Sequence, residues 1–256
     1  MLLAIDAGNT NIAIGAYRGE ELAHQWRLST RRDATADELG VTLRGLFDTA
    51  EVEIHEIDSV VISSVVPTLD RSLLGMCRQY LGTEAMMIGP GIRTGIQIRY
   101  DNPREVGADR VVNAVAAFHK YGGPTIVVDF GTTTNFDVIA DNGDYLGGAI
   151  SPGIRISMDA LFERAAKLPR VELLEPRSVI AKNTVESIQS GFLYGFVGQI
   201  EGIVTRMTAE LGGDVTVIAT GGLAQLISDH TRLIKTVDDR LTLDGLRLIH
   251  EMNLGE

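Results

Sequence analysis

An internal repeat constrains the fold of this chain more than any other feature. In the first copy, an apolar strand at residues 2–5 runs into an Asp-x-Gly turn, and two further strands follow at 12–17 and 22–28. The second copy repeats this order from residue 125 onward, about 120 residues later. Short strands separated by glycine-containing turns are typical of hairpins. The chain is therefore expected to contain the same domain twice.

Helices are predicted after each set of strands. Thr35 and Glu38 form a capping-box pattern ahead of apolar residues at helical spacing. Four further helices are predicted, at residues 67–82, 108–120, 184–211 and 241–252, and two further strands, at 59–63 and 215–219. Strands alternating with helices indicate an α/β protein, and the hairpins make its sheets mixed. The predicted domains cover residues 1–118 and 119–256.

The formal net charge of −11 narrows the range of partners. An acidic surface repels nucleic acid and anionic membranes, so neither is expected as a partner. An anionic substrate then requires local backbone donors and cations. Cys77 is the single cysteine, which indicates the reducing cytoplasm. The sequence predicts neither a signal peptide nor a membrane span.

The first Asp-x-Gly turn, residues 6–11, has the composition of a phosphate-binding loop. Gly8 lets the backbone approach a phosphate closely. Exposed N–H groups form an anion nest there, and Thr10 adds a hydroxyl. Asp6 repels phosphate but can hold Mg²⁺ or its waters. Taken alone, these residues also suit a plain turn, but a second matching copy favours two turns that clamp a polyphosphate.

The second turn, residues 129–134, is richer in hydroxyl groups. Thr132 is the candidate donor to a phosphate, and Asp129 is a candidate cation ligand. The alternative is ordinary turn chemistry, with threonines that favour a strand.

Residues 107–110 place an acid and a base side by side at the start of a predicted helix. Asp109 can take a proton from a hydroxyl nucleophile, and Arg110 can bind a carboxylate with two hydrogen bonds. The alternative is an aspartate favoured by the helix dipole next to a solvated arginine. Local sequence alone favours this alternative.

The remaining motifs are weaker or absent. The glycine-rich residues 147–153 and the pair Gly221-Gly222 can lie close to a ligand or simply form tight bends. Neither the Walker pattern nor G-x-G-x-x-G occurs, and the histidines form no metal-like cluster with cysteine. No G-x-S-x-G elbow supports serine hydrolase chemistry.

Taken in order, these motifs resemble those of type III pantothenate kinases, within the superfamily of acetate and sugar kinases, heat-shock chaperone ATPases and actin. The matching segments span nearly the whole chain, at 6–11, 107–110, 129–132, 147–153 and 219–222. The resemblance implies duplicated ribonuclease-H-like (actin-like ATPase) domains with mixed sheets and an interdomain cleft, and a homodimer. It implies ATP-dependent phosphorylation of pantothenate to 4′-phosphopantothenate, the first step of coenzyme A biosynthesis.

The resemblance also implies roles for individual residues. Asp109 would be the general base on the primary hydroxyl of pantothenate. Asp129 would hold a monovalent cation, K⁺ or NH₄⁺, and Asp6 would organise Mg²⁺ through ATP. The implied ATP-binding residues are Asp6, Ala7, Gly8, Asn9, Thr10, Asn11, Ile12, Ala13 and Thr132. The implied pantothenate-binding residues are Tyr100, Gly107, Ala108, Asp109, Arg110 and Thr184, with Thr184, after Asn183, a candidate to reach across the dimer interface.

One segment departs from the family pattern, and two rival functions stay open. After Thr132 the family pattern has a small residue and then threonines, whereas this chain has residues 133–135 as Thr-Thr-Asn. This affects only the fine placement of the loop. The rivals are a kinase for a sugar or a short carboxylic acid, and a non-catalytic, ATP-gated binding protein. A vestigial enzyme would require a lost carboxylate, but Asp6, Asp109 and Asp129 are all present.

Overall fold

The computed structural model describes residues 1–254, which form ten strands and seven α-helices. The strands are β1 (Leu2–Ala7), β2 (Asn11–Arg18), β3 (Glu21–Ser29), β4 (Ser59–Ser64), β5 (Ala85–Met87), β6 (Thr125–Phe130), β7 (Thr133–Ile139), β8 (Tyr145–Pro152), β9 (Thr216–Gly221) and β10 (Thr236–Val237). The helices are α1 (Ala36–Thr49), α2 (Pro67–Met76), α3 (Ala108–Tyr121), α4 (Ile154–Arg164), α5 (Thr184–Leu211), α6 (Ala224–Ser228) and α7 (Leu241–Asn253). No helix among these residues is long and apolar enough to span a membrane.

The two sheets share one topology, which confirms the predicted duplication and the mixed α/β class. The first sheet has the order β3-β2-β1-β4-β5, and the second has β8-β7-β6-β9-β10. In each sheet the first three strands pair antiparallel, and the last two are added parallel. The central strand, β1 or β6, therefore ends at its Asp-x-Gly turn with a parallel neighbour on one side.

Local sequence signals fix several helix ends. Thr35 and Glu38 form both bonds of the capping box, with Glu38 N donating to Thr35 Oγ1 at 3.2 Å and Thr35 N donating to Glu38 Oε2 at 2.9 Å. Pro67 occupies the first turn of α2, where its missing N–H costs nothing. A π-helical turn continues α2 as far as Gly82, whose positive φ of 66° ends it.

Four elements lie outside the sequence-based assignment: β5, β10, α4 and α6. β5 has 3 residues, β10 has 2 and α6 has 5, too few to display a hydrophobic period. α4 follows the glycine-rich end of β8, where glycines favour a loop prediction.

Alternation along the strands places two cores on opposite faces of the first sheet. Leu3 and Ile5 pack beneath α1 and α2, whereas Ala4 and Val61 pack with residues of α3 and α7. Because strand side chains alternate, Asp6 lies on the face of Ala4. That face leads to the start of α3.

The chain divides into two compact units, one of residues 1–119 with the segment from Arg240 onward, and one of Lys120–Asp239. The closing helix α7 thus belongs to the first unit, whereas the sequence-based division at 118/119 places it in the second. Leu243 and Leu246 are buried against the first sheet, and Tyr17 Oη donates to Asp244 Oδ1 at 2.7 Å. Helical periodicity reveals the apolar face of α7 but not the sheet that it covers.

Candidate active site

Asp6 lies near the carboxyl end of β1, beside the parallel strand β4. Its register partner in the parallel strand β4 is Ser63, and its antiparallel partner is Ala13. Asp6 Oδ1 is buried and accepts no hydrogen bond from the described residues. The Ser63 hydroxyl is buried nearby without completing a hydrogen bond of good geometry.

The surroundings of Asp6 disfavour its ionised form. Burial raises the pKa of its carboxyl from 3.8 to about 7. The negative charge of Asp109 adds to this increase in pKa, and the Ser63 hydroxyl opposes it. The sequence predicted both carboxylates as site residues, and the structure places them close enough to interact.

The loop after Asp6 is held by backbone and side-chain bonds. Gly8 N donates to Asn11 O at 3.0 Å, which closes the turn. Thr30, just beyond β3, fixes the turn from the side: its Oγ1 donates to Gly8 O at 2.7 Å and its N donates to Thr10 O at 2.9 Å. Asn9 and Thr10 remain exposed at the tip, where an anion can approach.

Asp109 lies in the first turn of α3 with a fixed carboxyl group. Arg110 N donates to Asp109 Oδ1 at 2.8 Å. Gly107 passes so close that a Cβ on it would lie 2.6 Å from the same oxygen. Burial raises the pKa of Asp109, and the backbone N–H and charge of Arg110 partly offset this effect. A carboxyl whose pKa is raised towards neutrality is better matched to a general base than an exposed aspartate.

The other predicted substrate residues of the first unit lie close to this turn along the chain. Arg110 is only 6% exposed, so it is not the solvated arginine of the alternative interpretation. Ala108 and Tyr100 are half-buried, and Tyr100 precedes the short 3₁₀ turn Pro103–Glu105.

The second Asp-x-Gly turn reproduces the first with one residue fewer. Gly131 N donates to Thr133 O at 3.0 Å, and Thr132 is half-buried at the tip. Asp129 pairs in register with Thr220 of β9, as Asp6 does with Ser63 of β4. Each carboxylate therefore has a buried hydroxyl residue beside it on the parallel strand.

Glycines from two neighbouring strands close around the second turn. Gly153, after β8, donates its N–H to Thr132 O at 3.1 Å. Gly221 ends β9 with φ of 94°, and a Cβ on it would lie 2.8 Å from Asp129 Oδ1. These contacts give both glycine motifs a structural reason that the sequence left open.

Thr184 lies elsewhere in the second unit, at the first position of α5. Asn183 caps this helix, and its Oδ1 accepts from Glu186 N at 2.9 Å. Thr184 is exposed and borders an open depression with Leu168 and Ser187.

Sequence reasoning missed Ser63 and Thr220 as site residues. Each directly follows the apolar run of its strand, Val60–Ile62 before Ser63 and Val217–Ala219 before Thr220, which is a visible signal. Their significance depends on the parallel register beside β1 and β6, and no local pattern reveals that register.

Single carboxylates, not clusters, are available for cations. Among residues 1–254, no group of three or more histidine, cysteine, aspartate or glutamate residues is arranged to hold a metal. The buried, unpartnered Asp6 Oδ1 suits a hard divalent cation, because such ions prefer carboxylate oxygen. Asp129 is the corresponding single carboxylate of the second turn, and Gly221 approaches one side of it closely.

Solved structures with little sequence identity to this chain share its fold. A putative 2-dehydro-3-deoxygalactonokinase from Sinorhizobium meliloti superposes with a TM-score of 0.61 at 10% identity, over 100% of this chain and 98% of that one. A conserved putative Baf family transcriptional activator from Campylobacter jejuni gives a TM-score of 0.62 at 20% identity, over 98% of each chain. At these identities the likeness establishes the fold alone, which is the duplicated actin-like fold.

Sequence relatives define the family. The chain belongs to the type III pantothenate kinase family, whose sequence model matches residues 2–206. It is 57% identical over 253 residues to the type III pantothenate kinase of Moorella thermoacetica, covering 99% of this chain and 100% of that one. It is 54% identical to that of Brevibacillus brevis over 99% of each chain. The family proposed from the motifs is thereby confirmed.

Proposed function

We propose that this chain transfers the terminal phosphoryl group of ATP to the primary hydroxyl of pantothenate, giving 4′-phosphopantothenate in the first step of coenzyme A biosynthesis. The observation that carries this proposal is the pair of adjacent carboxylates, Asp6 and Asp109, at the end of β1 and the start of α3. The chain matches type III pantothenate kinases along nearly all of its length. The reaction makes it a phosphotransferase with an alcohol as acceptor.

Asp109 is the general base in this proposal. Its carboxyl is held by Arg110 N and confined by Gly107, so one oxygen stays available in a fixed direction. It accepts the proton of the primary hydroxyl as the oxygen attacks the γ-phosphorus. Correctly placed bases typically contribute about 10²–10⁴-fold to the rate.

The first turn binds the phosphates of ATP. The backbone from Asp6 to Ala13 supplies N–H groups at the tip, and Thr10 adds a hydroxyl. Asp6 fits Mg²⁺ that enters with ATP, and this ion neutralises negative charge on the phosphate oxygens. The buried Asp6 oxygen and its raised pKa support this role, because a cation favours the ionised carboxylate.

The second turn provides a further phosphate contact through Thr132 and a monovalent cation site at Asp129. The cation is K⁺ or NH₄⁺. The tight approach of Gly153 and Gly221 supports these assignments, because it fixes the turn and one side of the Asp129 carboxylate.

The acceptor site holds the carboxylate and amide of pantothenate. Arg110 binds the carboxylate, and Tyr100, Gly107 and Ala108 line the pocket. Thr184 contributes a hydroxyl from the start of α5.

A homodimer is part of the proposal, and α5 carries the features that support it. A groove of about 360 Å³ runs along α5 and is lined by Leu161, Ile188, Phe192 and Phe196. A Cβ on Gly195 would meet no atom within 4 Å, so this part of the helix is open to a second copy. Gly195→Leu would change the solution mass measured by light scattering from dimer to monomer, and an unchanged dimer would reject this interface.

A cytoplasmic location stays a prediction.

The direct test is release of ADP from Mg-ATP with and without pantothenate, in potassium and in sodium salts. Turnover that requires both pantothenate and potassium supports the substrate and the role of Asp129. Turnover in either salt keeps the kinase and removes the cation assignment. ADP release that does not depend on pantothenate contradicts the proposal. The next step would then be a screen of hydroxy acids and sugars as acceptors.

A further inference from the structure

The segment after β3 carries two adjacent arginines that differ in their partners. Arg31 Nη2 pairs with Glu38 Oε1 at 3.0 Å, so its charge is neutralised within the first turn of α1. Arg32 Nη2 instead donates to Asn9 Oδ1 at 3.0 Å, at the tip of the first Asp-x-Gly turn. Across residues 1–254, Arg32 has no carboxylate partner.

The backbone beside Arg32 is tied to the same turn. Thr30 binds Gly8 O through its hydroxyl and Thr10 O through its N–H, two residues before Arg32. These bonds and the Asn9 contact keep the backbone of Arg32 next to the turn. Its guanidinium has five N–H donors, of which the Asn9 bond uses one.

The turn itself contains no basic side chain. Residues 1–17 contain no lysine or arginine, and neither do residues 129–135 of the second turn. The chain carries a net charge of −11, so the surrounding field opposes a polyphosphate. An arginine without an acidic partner, held at the tip by a neutral amide, is the local charge that can offset this repulsion.

We propose that Arg32 binds the polyphosphate of ATP, with Asn9 holding the guanidinium in place. This inference rests on the proposed function of the first turn as the phosphate site. A guanidinium presents paired donors that match phosphate oxygens, and such bonds are stronger than those between neutral groups. Arg32 therefore performs the task that a Walker lysine performs in other nucleotide-binding loops.

The test compares Arg32→Gln with Arg31→Gln, which removes the same charge one residue away. Calorimetric titration of the full chain with Mg-ATP and with AMP gives the binding constants. We expect Arg32→Gln to weaken Mg-ATP about tenfold, as loss of one charge-assisted contact implies. AMP affinity is expected to stay unchanged, and Arg31→Gln to weaken Mg-ATP less than about twofold. Both arginines are exposed, so equal melting temperatures verify that the variants fold.

Three results would overturn the inference. Equal losses in the two variants would indicate a general charge effect. If Arg32→Gln lost the same affinity for AMP as for Mg-ATP, the substitution would have disturbed the loop. Arg32 would then make no contact with the phosphates beyond the first. If Arg32→Gln left the affinity for Mg-ATP unchanged, the guanidinium would make no contact with the polyphosphate. Failure of the proposed function would show differently, as wild-type turnover without pantothenate dependence, while the binding comparison would still stand.

Discussion

At the residue scale, Asp6 shows a conflict between stability and function. In the proposed function its carboxylate must be ionised to attract a cation, yet burial and the charge of Asp109 both favour the protonated form. The folded protein therefore holds a proton on Asp6 more tightly than the unfolded chain does. Stability contributed by this proton is fully present below the unfolded pKa of 3.8 and is lost as the pH rises through about 7.

Asp6→Asn is expected to remove that loss. Without nucleotide, the melting temperature of the variant minus that of the wild type should be larger at pH 8 than at pH 5. The reason is that the amide does not ionise as the pH rises. Its Mg-ATP affinity should fall. Scanning calorimetry at both pH values measures the difference, with the exposed Asp48→Asn as the matched control. The same difference in melting temperature between Asp6→Asn and wild type at both pH values would contradict the raised pKa of Asp6.

Asp109→Asn is expected to keep the fold and Mg-ATP binding but to lose about 10²–10⁴-fold in kcat. The amide preserves the shape of the side chain but cannot accept the proton. Steady-state kinetics and nucleotide titration measure the two quantities separately. Asp101→Asn changes an exposed carboxylate in the preceding segment and serves as the control. Near-normal turnover would remove Asp109 from the role of base.

At the scale of elements, the sequence predicts local structure well and neighbouring strands poorly. The capping box at Thr35 and the limits of α5 follow from residues adjacent in the chain, and both are confirmed. The Asp-x-Gly turns could also be predicted, because the repeat marks them. The hydroxyls of Ser63 and Thr220 could not be assigned, because their place beside the carboxylates depends on parallel pairing across long connections.

Gly221 links the end of β9 to the second turn, and its substitution tests that link. In Gly221→Ala, the added Cβ would meet the Phe130 carbonyl carbon at 2.7 Å and Asp129 Oδ1 at 2.8 Å, in a backbone with φ of 94°. The Asp129 carboxylate should be displaced, so the potassium concentration for half-maximal activity should rise severalfold. Gly45→Ala in α1, where a Cβ meets no atom within 4 Å, is the control. An unchanged potassium dependence would separate Gly221 from the cation site.

At the scale of the whole molecule, duplication explains the two similar sheets, but the last helix breaks the simple division into halves. α3 and α7 each follow the last strand of one repeat, and both contribute to the core on one face of the first sheet. Val112 of α3 and Leu246 of α7 both belong to this core, and Thr242 Oγ1 donates to Asn113 Oδ1 at 2.7 Å. The first unit therefore depends on residues from both ends of the chain.

A chain that ends at Asp239 is expected to lose the first unit selectively. Removing α7 exposes Tyr17 and Val112, which are fully buried, and leaves the Tyr17 hydroxyl without Asp244. Fully burying one large apolar side chain contributes about 1.5–3 kcal/mol, and α7 buries several, so the loss is comparable with the whole stability of a typical domain. Hydrogen exchange should show rapid exchange in β1, β2 and β4, with protection retained in β6 and β9. Deletion of residues 254–256 alone, which leaves α7 intact, is the control. Retained protection in β1 and β4 of the shortened chain would mean that the first unit is stable without α7, and that the division at residue 118 describes the folding units after all.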